Sequence, residues 1–146
     1  MSTLYDEDFY AWTQQQALLL QEGKWHDADV PNIAEELETL GRSERHALES
    51  RLEVLVTHLL KWRYQPEFRT RSRSWRLTIL EQRRRLLRLL AVSPSLCPVL
   101  AAVLHESYPY ARRMAQEETG LALVTFPEAC PWSMAQVLDS DFWPEG

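Results

Sequence analysis

Apolar residues recur along this chain at intervals of three and four, the spacing that places side chains on one face of an α-helix. Phe9, Trp12, Leu19 and Leu20 predict a first helix from about Tyr5 to Glu22, with Gln14, Gln15 and Gln16 turned to solvent. Asp6, Glu7 and Asp8 fall in its opening turn, where negative charge suits the exposed N–H groups, and Gly23 stops it. After a loop through Trp25 to Val30, Pro31 fits the first turn of a second helix, where its missing N–H has no partner to lose. The stripe Ile33, Leu37, Leu40, Leu48, Leu52, Leu55, Leu59 and Trp62 is broken only around Gly41. Two arrangements fit: one long helix that bends at Gly41, or, as preferred here, Gly41 capping a short helix and Ser43 starting a longer one. Gln65-Pro66 ends the segment, because the residue before a proline avoids the α region.

A third amphipathic segment runs from Trp75 to Leu90, with Ser72 or Ser74 as its cap. Trp75, Ile79, Leu86 and Leu90 lie within about 60° of one another around the helix axis. Ser93-Pro94-Ser95 breaks the chain, and a fourth helix through Val99, Val103 and Met114 ends at Gly120, with Pro109 expected to kink or divide it. Beyond it, Ser133 and Gln136 have capping-box spacing and predict a short helix from Met134 to Leu138. Phe126, Trp132, Phe142 and Trp143 mark a tail that packs across the other elements. The fold class expected is all-α, an irregular bundle of about four main helices plus a short C-terminal helix and a packed aromatic tail, in a single domain over 1–146.

Composition narrows the chemistry. Four glycines leave no phosphate-binding glycine-rich loop, and no Gly-x-Ser-x-Gly elbow is present. Cys97 and Cys130 are too few for a disulfide framework or a four-ligand zinc site. Neither Glu-x-x-His nor His-Glu-x-x-His occurs, so no metal or cofactor is expected. The opening MSTLYDEDFYAW carries no basic segment before an apolar run and does not read as a secretory signal. The longest apolar stretch, near 86–104, is interrupted by Arg88, Pro94 and Pro98, so no membrane span is expected and the protein is placed in the cytoplasm.

LYDEDFYAW, NIAEELETLGRSERHALESRLEVLVTHLLKWRYQPE, RSRSWRLTILEQRRR and EETGLALVTFPEACPWSMAQVLDSDFWP, in that order, resemble the bacterial family catalogued as domain of unknown function 29. The resemblance covers nearly the whole chain and implies a single helical bundle domain. It implies no activity, because the family brings no catalytic residues to carry over.

Charge is the remaining signal, and it is segregated. Residues 1–41 hold nine carboxylates against Lys24, net −8; residues 42–88 hold thirteen basic and five acidic residues, net +8; residues 89–146 are net −5. The basic block includes RTRSRSWRLTILEQRRRLLRLL, with eight arginines in 22 positions. Counted round the helix from Trp75, Arg83 and Arg76 come first, at the edge of the apolar stripe; Arg84 lies diametrically opposite Trp75, and Arg88 and Arg85 follow on the far side. They surround the helix except on its apolar stripe, so Arg76 and Arg83 are expected at the border of the core, paired with carboxylates such as Glu35, Glu36 or Glu38. Arg69, Arg71 and Arg73 in the preceding loop, with Arg84 and Arg88, form the candidate contact for a polyanion or a partner. The chain's net charge of −5 and pI near 5.4 argue against a dedicated nucleic-acid binder.

His58 sits between Leu55 and Trp62 in helical spacing, beside the core face, and is the candidate buried polar site; a hydrogen-bonded imidazole is the expected state. The function expected from these features is a non-enzymatic binding or protein-interaction module, with a protein partner or a second copy as its ligand. The alternatives are polyanion binding through 69–88 and an enzymatic or metal site in the bundle near His58.

Overall fold

The structure, a computed structural model, describes residues 3–70 and 73–145. Ser72, one of the two caps expected for the arginine-rich helix, and Arg71 lie outside the described residues. The described residues contain no strand. Six α-helices follow one another: α1 (Leu4–Glu7), α2 (Phe9–Gln21), α3 (Val30–Tyr64), α4 (Arg73–Val92), α5 (Leu100–Thr119) and α6 (Met134–Leu138). From α2 onward, short 3-10 segments lie between them at Trp25–Asp27, Pro66–Phe68, Pro94–Val99 and Leu123–Thr125.

The first predicted helix is in fact two. Asp8 leaves helical geometry (φ −149°, ψ 85°) and its carboxylate accepts the Ala11 N–H, so it caps α2 and does not extend α1. The three opening acids therefore serve two helix starts. Gln16 is also a correction: it is buried, and its side-chain oxygen accepts the Asp29 N–H at 2.7 Å. Asp29 in turn accepts from the Trp12 indole and the Asn32 amide. The Asn32 bond, with help from Trp12, holds this carboxyl below its ordinary range. This polar knot organises the entry to α3.

At Gly41 the expected break is absent. α3 runs as one 35-residue helix, and Gly41 does not adopt positive φ, unlike Gly23 and Gly120. Without a left-handed residue the chain has no helix stop here. Thr39 donates to the Glu35 carbonyl and Arg42 donates to Thr39, so local side-chain bonds bracket the glycine within continuous helix. α5 likewise passes through Pro109 undivided, and Gly120 ends it in the left-handed conformation (φ 74°), its N–H bonded to the Gln116 carbonyl.

Residues 1–44 and 45–146 form two compact units. In the first, Tyr5, Phe9 and Trp12 make an aromatic cluster, and the Tyr5 hydroxyl donates to the Glu36 carboxylate, which raises the phenol pKa to about 12. The second is a helical bundle. Leu48, Leu52, Leu55 and Leu59 of α3 meet Ile79, Leu86 and Leu90 of α4 and Val103, Tyr108, Ala111 and Ala115 of α5. Val137 of α6 and Phe126 close this core. The predicted stripe of α4 is its inner face, and Ser133 and Gln136 form the expected reciprocal capping box over Met134–Leu138.

Candidate functional site

The arginines of the basic segment divide by environment. Arg69 is half-buried: Nε donates to the Trp62 carbonyl at 2.6 Å, Nη2 donates to the Pro144 carbonyl at 3.2 Å, and the guanidinium lies 5.6 Å from the Trp62 ring. Trp62 packs on Trp143 at 4.6 Å, and the Arg76 guanidinium covers the same Trp143 ring at 4.7 Å. These two arginines hold the tail by carbonyl and ring contacts. Their positive charge is thereby turned to an internal use.

Arg83 departs furthest from the border position expected. It is 1% exposed, with Nε donating to the Val137 carbonyl at 2.9 Å and Nη2 to Gln136 at 3.4 Å. Its guanidinium lies 5.5 Å from the Trp143 ring. Carbonyls at the end of α6 thus take the place of the carboxylates expected for it. Nη1 is buried without a partner, and burial lowers the pKa of the group. Arg84 and Arg85 pair locally: Arg84 makes a forked contact to Glu81 at 2.9 and 3.1 Å, and Arg85 reaches the same carboxylate. Hydrogen bonds from Arg84 and then Arg85 pull the Glu81 carboxyl down to about 2.

Arg73, Arg84 and Arg88 are exposed and fall within about 60° on one face of α4. Arg73 is about 16 Å along the axis from Arg84 at 1.5 Å per residue. Glu81 already engages Arg84. Of the four candidate contacts among the described residues, Arg69 turns inward to the Trp62 and Pro144 carbonyls while Arg73, Arg84 and Arg88 stay on the outer face of α4.

His58 is half-buried on the wall of a cleft of about 200 Å³ that Glu53, Thr57, Tyr110, Met114 and Glu118 also line. Its Nδ1 lies 2.8 Å from the Val54 carbonyl. A carbonyl only accepts, so the proton sits on Nδ1 and Nε2 keeps its lone pair. Burial lowers the His58 pKa and Lys61 adds to the effect, against smaller opposing pulls from the Val54 carbonyl and Glu118. Glu118 is drawn to Lys61 at 2.9 Å. Burial, then the neighbouring Glu49 charge, raises the Glu53 carboxyl. Among the described residues no group of three or more His, Cys, Asp or Glu is placed to hold a metal ion.

A wider groove of about 350 Å³ runs along α5, lined in part by His105, Tyr108, Glu128, Cys130 and Trp132. Two of its polar groups are muted. The Tyr108 hydroxyl donates to the Pro127 carbonyl at 2.6 Å, and burial raises its pKa. Burial also raises the Cys130 thiol, which donates to the Trp132 carbonyl at 3.5 Å. A protonated thiol is a poor nucleophile.

Sequence reasoning missed the surface that stands out in the first unit. Val30, Leu37 and Leu40 are 60%, 63% and 63% exposed, and with half-buried Ile33 they form one stripe about 80° wide on α3. Their spacing was the signal for a core face. Nothing in the spacing itself says whether a second helix covers it.

The family model described as "Domain of unknown function DUF29" matches residues 4–143. No curated protein and no solved structure matches the chain. No single helix among the described residues is long and apolar enough to cross a membrane.

Proposed function

The chain belongs to the family described as a domain of unknown function, DUF29, and we propose that this protein is a non-enzymatic, cytoplasmic interaction module that docks a protein partner on α3 between Val30 and Leu40. The observation that carries this reading is the exposure of Leu37 and Leu40, 63% each, one helical turn apart. Two large aliphatic side chains held in water at i and i+3 are read by partners as helix-in-groove or helix-on-helix anchors. Two candidate nucleophiles are muted, since the Cys130 thiol and the Tyr108 hydroxyl each donate to a carbonyl and burial raises the pKa of both.

The test is affinity capture at moderate salt with wild type, Leu37→Gln/Leu40→Gln and Val92→Gln. Val92 is 73% exposed on α4 and serves as the control for loss of an arbitrary surface aliphatic. Capture that survives in the control and disappears in the double variant supports the reading; equal capture by all three refutes it.

A second reading rests on Arg73, Arg84 and Arg88, which share one exposed face of α4. A polyanion contact there predicts that a single-stranded oligonucleotide binds at low salt and loses affinity in Arg84→Ala/Arg88→Ala, with a shallower salt dependence.

A further inference from the structure

We infer that the partner docked on α3 presents a basic amphipathic helix, an inference that rests on the docking reading above and names its partner class. The stripe lies in a unit of marked charge. Residues 1–44 hold ten carboxylates against Lys24 and Arg42, net −8. Around the α3 axis, Asp29 and Glu36 border the stripe on one side, while Ala34 and Gly41 border it on the other, with Glu38 next beyond them. A Cβ added at Gly41 would meet nothing within 4 Å, so the small side of the stripe is open to close approach. Glu38 is available to take part, since its nearest cation, Arg42, is 3.9 Å away on a well-exposed side chain.

Three occupants compete for this surface, and charge separates them. A second copy would bring another −8 unit against the first, and like charges at contact distance oppose association. The four stripe residues also span only about 15 Å of helix, well short of the surface that a stable homodimer buries. Anionic membranes and nucleic acids meet the same repulsion. A helix carrying lysine or arginine beside its own leucines gains on both counts, burying the stripe and neutralising the carboxylates that flank it. The small footprint places the affinity in the micromolar class of transient contacts.

The experiment uses the full chain and three fluorescent helical peptides of about 20 residues. All three carry the same leucine stripe, flanked by Lys, Gln or Glu. Anisotropy titrations are expected to rank the Lys peptide at least about 10-fold tighter than the Gln peptide and the Glu peptide weakest, with the spread collapsing as salt rises. Leu37→Gln/Leu40→Gln should weaken the Lys peptide by about 10-fold or more without changing the protein's charge. Glu38→Lys should narrow the Lys-to-Glu ranking about 3-fold or more.

Failure to bind the Lys peptide, a ranking insensitive to flanking charge, or binding unaffected by Leu37→Gln/Leu40→Gln overturns the inference. So does dimerisation of the wild type, seen by sedimentation, that the double variant abolishes. If affinity capture remains sensitive to the double variant while the peptide ranking is flat, docking on α3 survives and the basic partner class does not. If neither responds, both fall.

Discussion

Replacing Arg83 with Met probes the junction between α4, α6 and the tail. Methionine keeps most of the aliphatic stem and removes the guanidinium of a residue that is 1% exposed. The substitution deletes a charge-assisted bond to the Val137 carbonyl at 2.9 Å, on the order of 2–3 kcal/mol. It also deletes the contact with the Trp143 ring, about 1 kcal/mol. Removing the unpartnered Nη1 returns about 1–2 kcal/mol of desolvation. The bond at 3.4 Å to Gln136 is too long to change the balance.

The net expectation for Arg83→Met is a loss of about 2 kcal/mol in urea unfolding followed by circular dichroism, or roughly 4–8 °C in Tm for a chain of this length. Hydrogen exchange should show the loss concentrated in 134–143. Arg83→Lys should recover little, because a compact ammonium cannot both reach the Val137 carbonyl and lie against the Trp143 ring as the planar guanidinium does. Stability of Arg83→Met equal to or above wild type would refute the tail-clamp account and leave Arg83 a tolerated buried charge.

Gly41→Ala should stabilise the protein by about 0.5–1 kcal/mol, because the glycine is helical and open around its Cα and alanine restricts the unfolded chain; destabilisation in thermal melts would show that the helix stops there after all. Ser133→Ala should cost about 1 kcal/mol by removing the capping box of α6, read as a lower urea midpoint at unchanged slope. The folded-state pKa of His58 lies below its unfolded value, so the unfolded chain binds more protons and stability falls as pH drops below about 6.5. His58→Gln should flatten that dependence between pH 7 and 5, and an unaltered slope would place the titration elsewhere.

How far the sequence could be read depended on the range of the interaction. The capping box at Ser133 and Gln136, the inner stripe of α4 and the glycine stop at Gly120 are set by neighbours within a turn or two, and each was legible. Asp8 was misplaced because an aspartate suits both the first turn of a helix and the cap before it. Gly41 was misread for a related reason: glycine permits a stop without requiring one, and its φ is decided by the flanking helix.

Longer-range features were hidden. Arg83 sits at the very edge of the α4 stripe, but its partners are carbonyls more than fifty residues further on. Gln16 gave no sign of the Asp29 N–H that buries it. Leu37 and Leu40 have the spacing of core residues and the exposure of surface ones, since periodicity reports a face and not what covers it.

The central claim, that α3 carries a docking surface between Val30 and Leu40, is tested most directly by a photoreactive side chain introduced singly at positions 37, 40 and 92 of the full chain in living cells. The account predicts that illumination gives a discrete covalent adduct at 37 and at 40, mapped to a basic helical segment of one partner, and none at 92. Adducts absent from 37 and 40, or equal at all three positions, would contradict it.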